Sequence, residues 1–157
     1  MDENMQDDRM VDLVSSDNIT FSVSRIAISQ SVIVDEMLQN LGYDQEGARQ
    51  QEAIPLPNVT SNILQKVIEY CEEHRNDPKP LKHERHRVIS DWDRAFLNVD
   101  RNTLFALTHA ADYLHIKNLL RACAKSIADL IKGKSVEEIR EIYKITNDYP
   151  QEIPIPH

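Results

Sequence analysis

The apolar positions along the chain change period several times, and each change marks an element. Met10, Val11, Leu13 and Val14 form a short apolar run, Ser16-Asp17-Asn18 supplies turn chemistry, and Ile19 to Val23 alternates apolar with polar. Two short strands joined by a turn satisfy that pattern. Ser24 is placed to cap a helical turn through Ile28. Ser31 is placed to cap a helix carrying Val32, Ile33, Met37, Leu38 and Leu41, with Gly42 at its stop. A polar loop over 44–52 leads to Ala53-Ile54-Pro55-Leu56, where Pro55 and Pro57 permit only a short or edge strand.

From there the period is helical. Thr60 is the expected cap of a helix with Ile63, Leu64, Val67, Ile68 and Cys71 on one face and Gln65, Lys66, Glu69, Glu72 and Glu73 opposite. Asn76-Asp77-Pro78-Lys79-Pro80 closes it. Residues 79–90 show no clear period and read as an exposed, disordered loop. Helix resumes at Asp91 with Trp92, Phe96 and Leu97. Asp100 caps the next helix, whose buried side is expected to take Leu104, Phe105, Leu107, Ala111 and Leu114.

From Leu119 to Lys134, Leu119, Leu120, Cys123, Ala124, Ile127, Ala128, Leu130 and Ile131 cover roughly half of a helix circumference at about 100° per residue. Packing on a single core needs a stripe nearer about 100° wide. This helix is therefore expected to serve its own domain on one side and a partner on the other. Gly133 stops it, and Ser135-Val136-Glu137-Glu138 is a capping box opening a last helix. The stripe Val136, Ile139, Ile142 and Tyr143, with Ile145 beyond, is expected to face a partner, because exposed apolar patches mark interaction sites. Prolines at 150, 154 and 156 rule out helix in the tail. Strands followed by helices predict an α+β domain without internal repeats.

Composition narrows what such a domain does. The formal net charge of −8 disfavours nucleic acid and anionic membrane as partners, since both reward basic patches. No apolar run approaches a membrane span, and the acidic start MDENMQDDRM is unlike a secretory signal. Cys71 and Cys123, each alone on an apolar helical face, read as buried free thiols in a reducing compartment. The expected setting is the cytoplasm and nucleus.

Catalytic chemistry finds no foothold. With 3 glycines the chain carries no phosphate-cradling loop of the GxGxxG or GxxxxGK[ST] kind, and no GxSxG elbow. His74, His83 and His86 with Asp77 and Glu84 match no zinc spacing and read as a solvated polar loop. His109 and His115 are expected to be partly buried structural histidines. The sequons Asn18-Ile19-Thr20 and Asn58-Val59-Thr60 are expected to stay unglycosylated. A small hydrolase or metal enzyme is a distant alternative, and no cofactor is expected. The residues point to an interaction protein with a helical docking end.

Longer stretches then carry a resemblance. IPLPNV (54–59), NILQKVIEY (62–70), WDRAFLNVD (92–100), TLFAL (103–107), AADYLHIKNLL (110–120) and IKGKSVEEIR (131–140) resemble the Skp1 family, the adaptor subunits of SCF ubiquitin ligases, in order and with the right separations. The resemblance implies an acidic segment over 1–7, a BTB/POZ domain over 8–131, an F-box-binding helical extension over 132–149 and a Pro-rich tail over 150–157. It implies a non-catalytic adaptor bridging a cullin to an F-box substrate receptor for ubiquitin-dependent degradation. An elongin-C-like or homo-oligomerising BTB module is the alternative, and a weak homodimer is expected when partners are missing.

Position by position, the cullin-facing residues implied are Phe105, Thr108, Asp112 and Tyr113. Those facing the F-box are Leu120, Cys123, Ile127, Ile131, Ile139, Ile142, Tyr143, Ile145 and Asn147. Many relatives carry Asn where this chain has Asp112, and a larger apolar residue where it has Thr108, so cullin choice is expected to differ. After Asn147-Asp148 the family usually continues with a Glu-rich helix. YPQEIPIPH stands here instead, and F-box binding is expected to be weaker or more selective.

Overall fold

In the computed structural model of the chain, residues 9–43, 53–77 and 89–146 are described, with backbone only for 142–146. The expected loop 44–52, most of the loop 79–90, both terminal segments and Asn147 lie outside the described residues. The first two strands, β1 (Met10–Val14) and β2 (Thr20–Ser24), pair antiparallel with Leu13 opposite Phe21 and Val11 opposite Val23. Alternation places Val11, Leu13 and Val23 together in the core. The third strand, β3 (Ile54–Pro55), adds in parallel beside β1, giving the order β2-β1-β3. Pro55 sits on the sheet edge, where its missing N–H interrupts no ladder.

The helices are α1 (Arg25–Ile28), α2 (Val32–Asn40), α3 (Ser61–Glu73), α4 (Asp91–Phe96), α5 (Arg101–Leu114), α6 (Lys117–Ile131) and α7 (Val136–Thr146). The expected α+β class is what the chain adopts. Ser24, Ser31 and Asp100 accept backbone N–H groups from Ala27, Val34 and Thr103, as their positions predict. Ser90 caps α4 by accepting from Asp93, and Ile89 packs on the core, so the end of the expected loop is ordered.

Thr60 stands at the expected cap of α3, but its hydroxyl donates to the Asn62 side chain at 2.7 Å and caps no backbone group. The helix start is satisfied from another element. Asp17, in the β1–β2 turn, accepts the Ser61 N–H at 2.8 Å and the Ser61 hydroxyl at 2.6 Å. Glu72, expected on the solvent face, likewise reaches across to accept the Ser24 N–H at 2.8 Å. These two carboxylates fasten opposite ends of α3 to the hairpin.

One contiguous core runs from the sheet through α3 to α5, with Leu13, Leu56, Leu64, Val67, Leu107, Leu114 and Leu119 fully enclosed. α5 is central: it lies against α2, α3, α6 and α7. Ser31 ties its end to α2 by donating to the Leu114 carbonyl at 2.6 Å while its oxygen caps Val34. Phe105, expected on the buried side of α5, is instead half-exposed and outside this core. Ala110 faces inward instead, at 4% exposure.

Asp17 gives a pH test of the cross-link. The Ser15 and Ser61 hydroxyls hold its carboxyl down at about 2, below the ordinary 3.8. A carboxylate with a depressed folded-state value adds stability that is complete above the unfolded value and is lost as pH falls through the folded one. Asp17→Asn should therefore lower the urea midpoint relative to wild type above about pH 4, and the gap should close toward about pH 2. A gap independent of pH would show that the carboxylate charge is not what holds α3 to the turn.

Candidate partner-binding surfaces

α5 presents a strip that its packing leaves available. Phe105, Thr108 and Asp112 recur at three- and four-residue spacing, so they share one side of the helix, with Tyr113 flanking them. Asp112 is exposed; Phe105, Thr108 and Tyr113 are half-buried. Tyr113 also leans on the core, which fixes its ring before any partner arrives. The Thr108 hydroxyl donates to the Leu104 carbonyl one turn back at 2.7 Å, so its proton is committed within the helix. All four sequence-predicted residues are thus brought together. Asp112 stands at the most accessible place among them.

α6 resolves the unusually wide apolar arc into two parts. Leu119, Ala122 and Cys123 are buried, and Leu120, Ile127 and Ile131 form a half-exposed line beside them. Leu120 and Ile127 rest on the core as well as facing outward. Ala124 and Ala128, the far margin of the arc, are exposed. Cys123 departs from its expected role in the outward set: it is 0% exposed, at an angle that points it inward from the Leu120 line. Its thiol lies within hydrogen-bonding reach of the Thr108 hydroxyl, so that α5 and α6 meet at this pair.

After α6 the chain turns at Gly133, whose φ of 75° suits glycine. Ser135 and Glu138 then exchange the two expected hydrogen bonds, the Glu138 N–H donating to the Ser135 oxygen at 3.1 Å and the Ser135 N–H to the Glu138 carboxylate at 3.0 Å. These bonds hold the Glu138 carboxyl below its ordinary range. α7 lies against α5, with Val136 66% exposed and Ile139 half-buried. The side chains of Ile142, Tyr143 and Ile145 lie outside the described set, as does Asn147.

The histidines fall out differently from their expectations. His109 and His115 are exposed, not partly buried. His115 is the C-cap of α5 in a left-handed conformation, φ 59°, so it stands at the helix end rather than on its packed face. His74 is no member of a solvated loop: it ends α3 with its side chain 16% exposed, between Asp77 and Asp93. His83, Glu84 and His86 lie outside the described residues. Among the described residues no cluster of His, Cys, Asp or Glu could hold a metal, and no described helix is long and apolar enough to cross a membrane.

Comparison with known proteins follows the same division of the chain. Residues 9–76 match the Skp1 family tetramerisation domain, of POZ type, and residues 117–153 match the Skp1 family dimerisation domain. The chain is 43% identical over 150 residues to a Skp1-related protein of Caenorhabditis elegans, covering 92% of this chain and 85% of that one. It is 40% identical over 147 residues to the E3 ubiquitin ligase complex SCF subunit sconC of Talaromyces stipitatus, covering 90% and 88%. With the suppressor of kinetochore protein 1 of Schizosaccharomyces pombe it shares 38% identity over 149 residues, covering 90% and 89%.

Both thiols are buried and free, as expected from their isolation. Desolvation pushes Cys71 up to about 12 and Cys123 up to about 11. In the native protein at pH 8, each should be alkylated on the order of 100-fold more slowly than in the urea-unfolded chain, followed by mass spectrometry. Rapid native modification of Cys123 would mean that the α5–α6 seam opens on its own.

Proposed function

The chain belongs to the Skp1 family, and from that premise we propose that it is a non-catalytic adaptor of an SCF-type ubiquitin ligase, acting in the cytoplasm and nucleus. One partner is the N-terminal region of a cullin, received on the Phe105, Thr108, Asp112 and Tyr113 strip. The other is the F-box of a substrate receptor, received on Leu120, Ile127 and Ile131 of α6 together with the apolar side of α7. The observation that carries this reading is that α5 and α6 each bury one face in a shared core and leave a second, partly apolar line outward. Partner-ready residues already seated on a core lose little side-chain entropy on binding.

The rate gain such an adaptor supplies is one of concentration. Held at the ends of one rigid body, a substrate and the ubiquitin-transferring machinery meet as if tethered, without new bond chemistry from the bridge. Rigidity matters here, since a loose bridge would dilute that effect. The Ser31–Leu114 bond and the α5–α6 seam supply it.

Two substitutions separate the surfaces. Tyr113→Lys places a charge in the α5 strip and should weaken binding of a cullin N-terminal fragment by about 2 kcal/mol or more, roughly 30-fold in Kd, while leaving an F-box peptide unaffected. Ile139→Asp should do the reverse. Calorimetry on the full chain, with circular dichroism as the folding control, reads both. If each variant lost both partners while remaining folded, the two-surface arrangement would be wrong.

A further inference from the structure

The outward side of α5 carries a polar head that the cullin contacts named above leave out. At about 100° per residue, Thr108, Asp112, Phe105, His109 and Tyr113 follow one another round the helix in that order, in steps of about 20° to 40°. His109 therefore stands inside the strip, one turn after Phe105 and one turn before Tyr113. The opposite side is filled by Leu104, Leu107, Ala110, Ala111 and Leu114, all buried. Within the strip His109 and Asp112 are the two exposed members, and Phe105, Thr108 and Tyr113 are half-buried. The helix is described along its whole length, from Arg101 to Leu114.

The exposed pair differs from Thr108 in what its polar atoms do. The Thr108 hydroxyl is committed to the Leu104 carbonyl at 2.7 Å. Neither the His109 ring nor the Asp112 carboxylate has a hydrogen-bond or ion-pair partner among the described residues. Asp112 is also the one Asp, Glu, Lys or Arg on the helix after Arg101, which lies about 17 Å back along the axis. The next cation in the chain, Lys117, begins α6.

In water both heads are satisfied. Once a partner covers the strip, each must be met by a polar group, because a buried polar atom left without a bond destabilises by more than a made bond stabilises. Residues three apart on a helix have Cβ atoms about 5–6 Å from each other. A guanidinium carries its N–H donors in a flat fork on that scale. One arginine laid between the two heads can donate twice to the Asp112 carboxylate and once to the ring-nitrogen lone pair of His109, with its flat face towards the Tyr113 ring. A lysine ammonium is a point charge and spans the pair less well.

Resting on the reading of this strip as the cullin surface, we propose that His109 and Asp112 form a two-point acceptor for one arginine of the cullin N-terminal region, and that this pair selects among cullins. A cullin with an apolar side chain at that place strands both heads. One with an acidic side chain there meets repulsion from Asp112.

The full chain is titrated calorimetrically with a panel of cullin N-terminal fragments, and the tightest is taken forward against His109→Leu, Asp112→Asn and the double variant, with circular dichroism as the folding control. Each single substitution should weaken binding about tenfold. The double variant should fall well short of the roughly hundredfold loss that independent contacts would give, since the same arginine is released in each case. Replacing the arginines of that fragment one at a time by glutamate should find one whose loss weakens binding to wild type and is restored by Asp112→Arg. Tyr113→Lys reports on the strip itself. If it weakens binding while His109→Leu and Asp112→Asn leave Kd unchanged, the strip stands and the two-point acceptor is overturned; losses that multiply in the double variant, or the lack of any rescued arginine, overturn it as well. A Tyr113→Lys variant that binds like wild type, or a panel in which no fragment binds, removes the cullin reading and this proposal together.

Discussion

The packing of α5 is the constraint on which the rest of the molecule depends. This helix must satisfy α2, α3, α6 and α7 at once, and it does so with Leu104, Leu107, Ala110, Ala111 and Leu114 turned inward. The two alanines allow close approach where a larger residue would force its neighbours apart; overpacking of that kind costs about 1–3 kcal/mol. Because so much of the circumference is committed, the outward strip is narrow and its residues have little freedom. Tyr113 is half in the core and half out of it. The residues of this strip are held in part by the contacts that hold the domain together.

Element positions were legible because the caps and periods that specify them are local. Ser24, Ser31 and Asp100 act within three residues of where they stand, and Ser135 with Glu138 closes a box inside one turn. What sequence reading missed is of a different kind. Asp17 reaches Ser61, Glu72 reaches Ser24, and His74 reaches Asp93, over separations of 44, 48 and 19 residues. No periodicity encodes a bond between elements whose relative placement is unknown. Each of these polar groups scored as turn or solvent-face chemistry for the good reason that, on its own helix or turn, that is what it resembles.

The candidate surfaces were legible to a lesser depth. The α6 arc is wider than a single packing face needs, and Leu120, Ile127 and Ile131 do separate from the buried Leu119, Ala122 and Cys123. The position of the dividing line was beyond reach from pattern alone. Cys123 lies only about 60° from Leu120 by helical geometry, yet it is enclosed while Leu120 is half-open. Phe105 erred in the other direction, since its size suggested burial while Ala110 took the inward site. Side-chain volume predicts which residues prefer the core; the spacing of neighbouring helices decides which are admitted.

Gly133 shows how the two outward lines come to share one helix as their border. Space does not demand glycine there, for nothing lies within 4 Å of where a Cβ would stand; the demand is the positive φ. Lys132 leaves the helical conformation first, extended at φ −61° and ψ 130°, and the left-handed Gly133 follows it, after which α7 lies against α5 rather than prolonging α6. Had α6 simply continued, the apolar residues at 136 and 139 would have formed a lone amphipathic extension remote from the domain. The turn instead sets α7, the Leu120 line and the Phe105 strip around a common helix. The reciprocal Ser135–Glu138 bonds matter for the same reason, because they specify where the new helix begins and so which of its sides meets α5.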